Sequence, residues 1–251
     1  MIEITSASNP RYKTIKSLAQ KKERLKRGEF TVEGIKSVKD AIKAGAEVDR
    51  IVVSESFYKN NEFDYPNGVH ILKTDDHLFE KLCDTETPQG IMAVIKIKNT
   101  DNFKLDLSKD YVYCENVKDP GNLGTIIRTA DAAGMGGVLL SSGCVDLYNP
   151  KTVRSSMGSF FSIDIIRNWN GLNEAEGFSL IGGALNDKTI DYREADYKKP
   201  CIIIVGNEAN GITDETLNLC TPVKIPIIGK AESLNVSIAA GILMYEVLRN
   251  R

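Results

Sequence analysis

Residues 111–140 read YVYCENVKDPGNLGTIIRTADAAGMGGVLL. An apolar run at Tyr111–Cys114 leads into a turn rich in Asp, Pro, Gly and Asn, a helical segment follows, and a second apolar run closes the stretch at Gly137–Leu140. Neither run alternates apolar with polar residues, which is the pattern of a strand covered on both faces. Further runs of this kind lie at Phe160–Ile166, Phe178–Ile181, Cys201–Val205 and Val223–Ile225, with helical segments between most of them. A parallel α/β sheet follows. The last helix, about Ser237–Arg249, carries Ile238, Ala239, Ile242, Leu243, Met244, Val247 and Leu248. That apolar face is too wide for one surface stripe, so the helix is expected to pack on the sheet and on a further surface such as a second subunit.

Upstream, NTDNFKLDLSKD (99–110) is polar and aperiodic and reads as a linker, which sets the domains at 1–104 and 105–251. The first part alternates helix and strand signals. Ser8 and Asn9 precede Pro10, and Ile15, Leu18 and Leu25 give an amphipathic helix across about 10–26 that stops at Gly28. Strands at Phe30–Val32, Ile51–Val53, Val69–Leu72 and Gly90–Ile97 are separated by helices at Ile35–Ala44 and near Asp76–Cys83. This is a smaller α/β domain.

At 251 residues, 42% hydrophobic and 26% charged, the composition is that of a globular protein of one to two domains. No apolar run approaches the ~20 residues a bilayer span needs, and the start lacks a secretory apolar core, so a cytoplasmic protein with no membrane partner is expected. Five cysteines without a C-x-x-C pair and only two histidines, His70 and His77, argue against a disulfide framework, a metal site and the usual histidine-based triads. The cysteines are expected in or near the core. Net charge is −2 overall, yet residues 10–27 alone hold eight Lys or Arg against one Glu, a local +7. Arg11, Lys13, Lys16, Lys21, Lys22, Arg24, Lys26 and Arg27 thus form a candidate footprint for a polyanion such as RNA, where each neutralised phosphate releases counterions.

Three segments combine glycine with polar residues at strand ends, where α/β sheets build binding crevices: DPGNLGTIIRTADAAG (119–134), GNEANGI (206–212) and IPIIGKAESLNVSIAAG (225–241). None is a P-loop, since Gly229-Lys230 is followed by Ala231, and none gives G-x-G-x-x-G. Such turns keep side chains aside so that backbone N–H and C=O groups can meet a ligand.

In this order and spacing, the three segments resemble the signature motifs of the SpoU/TrmH family of RNA 2′-O-ribose methyltransferases, within the SPOUT class; the likeness runs over 112–248. SASNPRYKTIKSL and FTVEGIKSVKDAI resemble the ribosomal-protein-like substrate-binding domain many members carry. The resemblance implies a C-terminal SPOUT domain with a trefoil knot, a homodimer with sites near the interface, S-adenosyl-L-methionine as cofactor and a ribose 2′-hydroxyl of structured RNA as acceptor. Ribosomal RNA of the large subunit is favoured by the two-domain layout. A tRNA enzyme, a non-catalytic RNA-binding factor with this fold, and an α/β enzyme for a small nucleotide are the alternatives.

By motif position Asn122, Arg128, Glu208, Ser233 and Asn235 are the implied catalytic residues. A guanidinium with pKa above about 12 is a poor proton acceptor, so Arg128 is assigned to clamp a phosphate and polarise the 2′-oxygen, with Ser233 and Asn235 orienting or relaying the proton. Glu208 is expected to order the site or contact substrate, with capping of backbone N–H groups as the competing reading. The cofactor is expected against the backbone of Gly183, Ala184, Leu185, Val205, Gly206, Ile225, Ile227, Ser233 and Leu234.

Overall fold

Along residues 1–99 the elements run β1 (Ile2–Ile4), α1 (Pro10–Ser17), α2 (Lys21–Arg27), β2 (Glu29–Glu33), α3 (Ile35–Lys43), β3 (Val48–Ser54), α4 (Glu55–Asn60), β4 (His70–Thr74), α5 (Asp76–Glu80) and β5 (Ile91–Lys96). The remainder holds β6 (Tyr111–Cys114), α6 (Pro120–Ala132), β7 (Gly137–Leu140), α7 (Pro150–Ser156), β8 (Asp164–Ile166), β9 (Ser179–Gly183), β10 (Ile190–Asp191), β11 (Cys201–Val205), α8 (Asp214–Leu217), β12 (Thr221–Lys224) and α9 (Val236–Arg249). The computed structural model describes residues 1–198 and 200–251. It forms two units, Met1–Asn99 with Tyr148–Phe161, and Thr100–Leu147 with Ser162–Arg251. Among the described residues no helix is long and apolar enough to cross a membrane.

In the first unit five strands pair in the order β1-β4-β3-β5-β2, with β5 antiparallel to both its neighbours and the other pairs parallel. Tyr12, Ile15 and Leu18 bury against Ile4, Val52, Leu72, Phe79 and Met92, so the apolar positions of α1 seat it on the sheet. Toward the edge, Phe30 of β2 packs on Tyr148, Phe160 and Phe161, with ring centroids 4.7, 5.5 and 6.5 Å away. That aromatic cluster is why a segment distant in sequence belongs to this unit, and why the run 160–166 is not one strand: Met157–Phe161 is a 3₁₀ turn feeding two rings to the cluster, and β8 begins only at Asp164.

The helix expected across 10–26 is broken. Leu18 caps α1 and Gln20 is extended at φ −93°, ψ 129°, before α2 starts. Arg24 explains the break: it is 3% exposed, and its guanidinium donates to the carbonyls of Leu18 and Ala19, both at 2.7 Å, satisfying acceptors that the end of α1 leaves open. Arg24 is therefore removed from the candidate RNA surface, and Leu25, at 48% exposure, from the candidate core. The other seven cations of the stretch are exposed, Arg27 pairing with Glu23 at 3.3 Å. Arg24→Ala is expected to cost about 1.5–3 kcal/mol in urea unfolding, as loss of charged hydrogen bonds in a buried setting does, whereas Lys22→Ala changes stability by less than about 0.5 kcal/mol.

The second unit is a seven-stranded sheet, β10-β12-β9-β11-β6-β7-β8, with every pair parallel. The strands β6, β11 and β7 are buried throughout, as their unbroken apolar runs require. From β6 the chain moves outward through β7 to β8 and then returns to the other side of β6, so the order reverses between β6 and β11. Crevices outside the carboxyl ends of strands at such a reversal are where open α/β sheets bind ligands. Helix α9 buries Ala240, Leu243, Met244 and Val247, while Ile238, Tyr245 and Leu248 stay about half exposed and, with half-buried Ile242, form an apolar stripe at helical spacing that this chain leaves uncovered. All five cysteines are free thiols; Cys114 and Cys201 are buried and the rest half-buried.

Candidate active site

A cavity of about 460 Å³ opens at the carboxyl ends of β9, β11 and β12. All nine positions expected to touch the cofactor line it: Gly183, Ala184, Leu185, Val205, Gly206, Ile225, Ile227, Ser233 and Leu234. Three chain segments far apart in sequence thus meet around one volume, whose size suits a cofactor-sized ligand.

The loop after β11 is held in shape by its own backbone. Asn207 N–H donates to the Gly211 carbonyl at 2.9 Å and Gly211 N–H returns to the Asn207 carbonyl at 2.8 Å. Inside that turn the Asn207 side-chain oxygen accepts from the N–H groups of Ala209 and Asn210, at 2.9 and 3.1 Å. Gly206 has no room for a side chain, because a Cβ there would lie 2.1–2.4 Å from main-chain atoms of Gly211 and Ile212.

At the rim three of the five implied catalytic residues, Asn122, Glu208 and Asn235, form a chain of hydrogen bonds. Asp119 caps α6 by accepting from Asn122 N–H at 2.8 Å, and Pro120 takes a first-turn position that needs no N–H partner. Asn122 Nδ2 donates to Glu208 Oε1 at 3.1 Å, and Asn122 Oδ1 accepts from Asn235 Nδ2 at 2.9 Å. Glu208 also accepts from the N–H groups of Lys118 and Asp119, both at 3.0 Å. Desolvation is the largest influence on the Glu208 carboxyl and pushes its pKa up, yet the donors Asn122, Asp119 and Lys118 together outweigh it and hold the group below the usual carboxylate value. Asn235 caps α9, its Oδ1 accepting from Ser237 N–H at 2.9 Å and from the Ser237 hydroxyl at 2.6 Å. Both ends of the Asn235 amide are thereby engaged in ordering, while the Ser233 hydroxyl lines the cavity without a hydrogen-bond partner among the described residues.

Arg128 stands apart. It is exposed on α6, has no hydrogen-bond or ion-pair partner among the described residues and does not line the cavity. Its neighbour Thr129 faces α9, where a Cβ on Gly241 would lie 3.6 Å from Thr129 Cγ2, so Arg128 sits on the helix pair that carries the uncovered stripe.

Two further residues contribute to the site. Asn116, in the left-handed region at φ 57°, accepts from Asn207 Nδ2 through its carbonyl at 3.0 Å. Buried Glu115 accepts from the N–H and hydroxyl of Thr213 and the hydroxyl of Thr216, at 2.7, 2.9 and 2.6 Å, and so anchors the start of α8. The polar pair Glu115-Asn116 directly after a fully apolar strand was the available signal.

A small α/β unit followed by an all-parallel sheet with a backbone-lined cavity at its carboxyl edge is the architecture of SPOUT-class RNA methyltransferases. Residues 109–245 match the SpoU rRNA Methylase family and residues 9–93 the MRM3-like substrate binding domain. The chain is 38% identical to the 23S rRNA (guanosine(2553)-2′-O)-methyltransferase RlmP of Bacillus subtilis, over 98% of this chain and 99% of that protein. It is 30% identical to a 23S rRNA (uridine(2479)-2′-O)-methyltransferase of Streptomyces viridochromogenes, over 93% and 87% of the two chains. Its fold superposes on an AdoMet-bound rRNA methyltransferase from Sinorhizobium meliloti with a TM-score of 0.88 at 32% identity, covering 99% of this chain and 97% of the other. The chain belongs to the SpoU rRNA methylase family.

Proposed function

We propose that this protein transfers a methyl group from S-adenosyl-L-methionine to a ribose 2′-hydroxyl of large-subunit ribosomal RNA. The observation that carries the reading is the meeting of Gly183–Leu185 with the second and third motif segments around one cavity, and the tie of the first motif to both through Asn122, which bonds Glu208 and Asn235 at the rim. Gly183–Leu185, Val205–Gly206, Ile225, Ile227 and Ser233–Leu234 hold the cofactor, which supplies a methyl group on a cationic sulfur. Glu208, Asn122 and Asn235 lock the loops in register. Ser233, with its hydroxyl free, orients the acceptor and takes part in moving its proton, and Arg128 clamps the adjacent phosphate.

A homodimer and a trefoil knot belong to this reading. The apolar stripe Ile238, Ile242, Tyr245 and Leu248 supports the dimer, and α6, which carries Arg128, packs on the helix that bears the stripe. The two units divide the labour, the first gripping RNA through Arg11, Lys13, Lys16, Lys21, Lys22, Lys26 and Arg27. A cytoplasmic location fits a ribosomal RNA substrate.

Glu208 is assigned as a clamp, and its depressed pKa gives the sign of a pH test. Its contribution to loop order is complete above the ordinary carboxylate pKa and is lost as pH falls through the lower native value, so titration of Glu208 gives no limb in the rate profile across the neutral range. A neutral limb that vanishes in Glu208→Gln would make it a general base instead. The function itself is tested by mapping 2′-O-methyl sites in total RNA with and without the gene: one ribosomal position should lose its methyl group, and an unchanged map overturns the reading.

A further inference from the structure

The catalytic unit is a poor surface for RNA: residues 100–147 and 162–251 carry 19 acidic against 13 basic side chains, a net charge of −6. A strand that brings its ribose to the cavity must therefore find local cations. Lys118 is one that none of the motif assignments uses. It lies at the start of the hydrogen-bonded rim, its own N–H donating to Glu208 Oε2 at 3.0 Å. Its side chain is exposed, yet it is not left to swing: Nζ donates to the Gly143 carbonyl at 2.7 Å, and no carboxylate lies within 4 Å of it among the described residues.

The loop after β7 is shaped to make that bond. Ser141 Oγ accepts from Asn116 N–H at 2.9 Å, and Ser141 N–H donates to the Cys114 carbonyl at 3.1 Å. At Gly143 a Cβ would lie 1.7 Å from Asn116 Oδ1, so a side chain there would have to displace the Asn116 amide that packs against the loop. An ammonium has three N–H donors. One is spent on a neutral carbonyl, which leaves two donors and a full charge, unpaired with any carboxylate among the described residues, on the residue whose backbone N–H joins the rim. The nearby Glu208 carboxylate is already engaged by three N–H donors of the rim and does not pair with the ammonium.

We propose that Lys118 is a phosphate-binding residue for the RNA strand, holding a backbone phosphate next to the target ribose, and that the loop Ser141–Cys144 is a fourth element of the site whose task is to position that ammonium. The proposal rests on the RNA-methyltransferase reading, but its test needs no turnover. Equilibrium binding of an unmodified large-subunit rRNA transcript is measured between about 50 and 200 mM KCl for wild type, Lys118→Gln and Lys118→Arg. The Gln amide can still donate to the Gly143 carbonyl while the charge is gone. Loss of one phosphate contact predicts weaker binding of Lys118→Gln at low salt, with the gap to wild type closing by about threefold across that range. Arginine restores both affinity and slope, and melting temperature and calorimetric S-adenosyl-L-methionine affinity stay at wild-type values. An unchanged salt slope in Lys118→Gln overturns the proposal. So does a fall in melting temperature and cofactor affinity without a change in slope, which would make Lys118 a staple of the loop. Absence of methyl transfer by the wild-type protein would instead end the functional reading and leave the binding comparison to decide the role of Lys118.

Discussion

Arg128→Ala is expected to bind S-adenosyl-L-methionine like wild type and to lose methyl transfer by about 10²–10³-fold, the scale on which removing one preorganised electrostatic donor to a transition state acts. The separation of the two effects follows from geometry: Arg128 is exposed, unpartnered and outside the set of residues that line the cavity, so its loss leaves the cofactor pocket intact. A guanidinium presents a planar fork that matches a phosphate bidentately, and an ammonium does not, so Arg128→Lys should recover only part of the rate. Calorimetry for the cofactor and single-turnover transfer on ribosomal RNA check both halves. Retained turnover in Arg128→Ala would remove the assignment. A loss of cofactor affinity would place the residue in the pocket.

The second large effect is at Gly206. Adding one methyl group there puts a carbon within 2.1–2.4 Å of the backbone of Gly211 and Ile212, where no rotamer change can make room. The turn must open, breaking the reciprocal Asn207–Gly211 pair and withdrawing Glu208 from Asn122 and the start of α6. Overpacking of this kind costs about 1–3 kcal/mol, which is a drop of about 5–150-fold in cofactor affinity if it falls wholly on the bound loop. Gly229→Ala is the matched control, since a Cβ at Gly229 meets nothing within 4 Å. Wild-type cofactor affinity in Gly206→Ala would mean that the loop after β11 does not shape the pocket.

The second unit was readable because its strands bury both faces. Tyr111–Cys114, Gly137–Leu140 and Cys201–Val205 are uninterrupted apolar runs and fall on β6, β7 and β11 without offset. The 3.6-residue spacing of α9 was equally plain, and the width of its apolar face appears as a stripe the single chain does not cover. What escaped was decided by contacts between residues far apart in sequence. The periodicity of 10–26 carries no mark of the break at Leu18, because the break depends on a guanidinium six residues later turning back onto open carbonyls. Phe160 and Phe161 look like strand residues until Phe30 claims them. At the site, the three motif segments identified themselves by composition, but the links among Asn122, Glu208 and Asn235 span 86 to 113 residues and no local rule reveals them. Lys118 was hidden for the same reason, since its anchor is a carbonyl 25 residues downstream.

The central claim is that this cavity and its rim deliver a methyl group to a ribose oxygen. It is tested most directly by incubating the purified protein with methyl-labelled S-adenosyl-L-methionine and unmodified large-subunit ribosomal RNA, then hydrolysing the RNA in alkali. A 2′-O-methyl group blocks cleavage at its own nucleotide, so the label is expected in a single alkali-stable dinucleotide. Label released as a mononucleotide, which would place the methyl group on a base, or no transfer by well-folded protein, would contradict it.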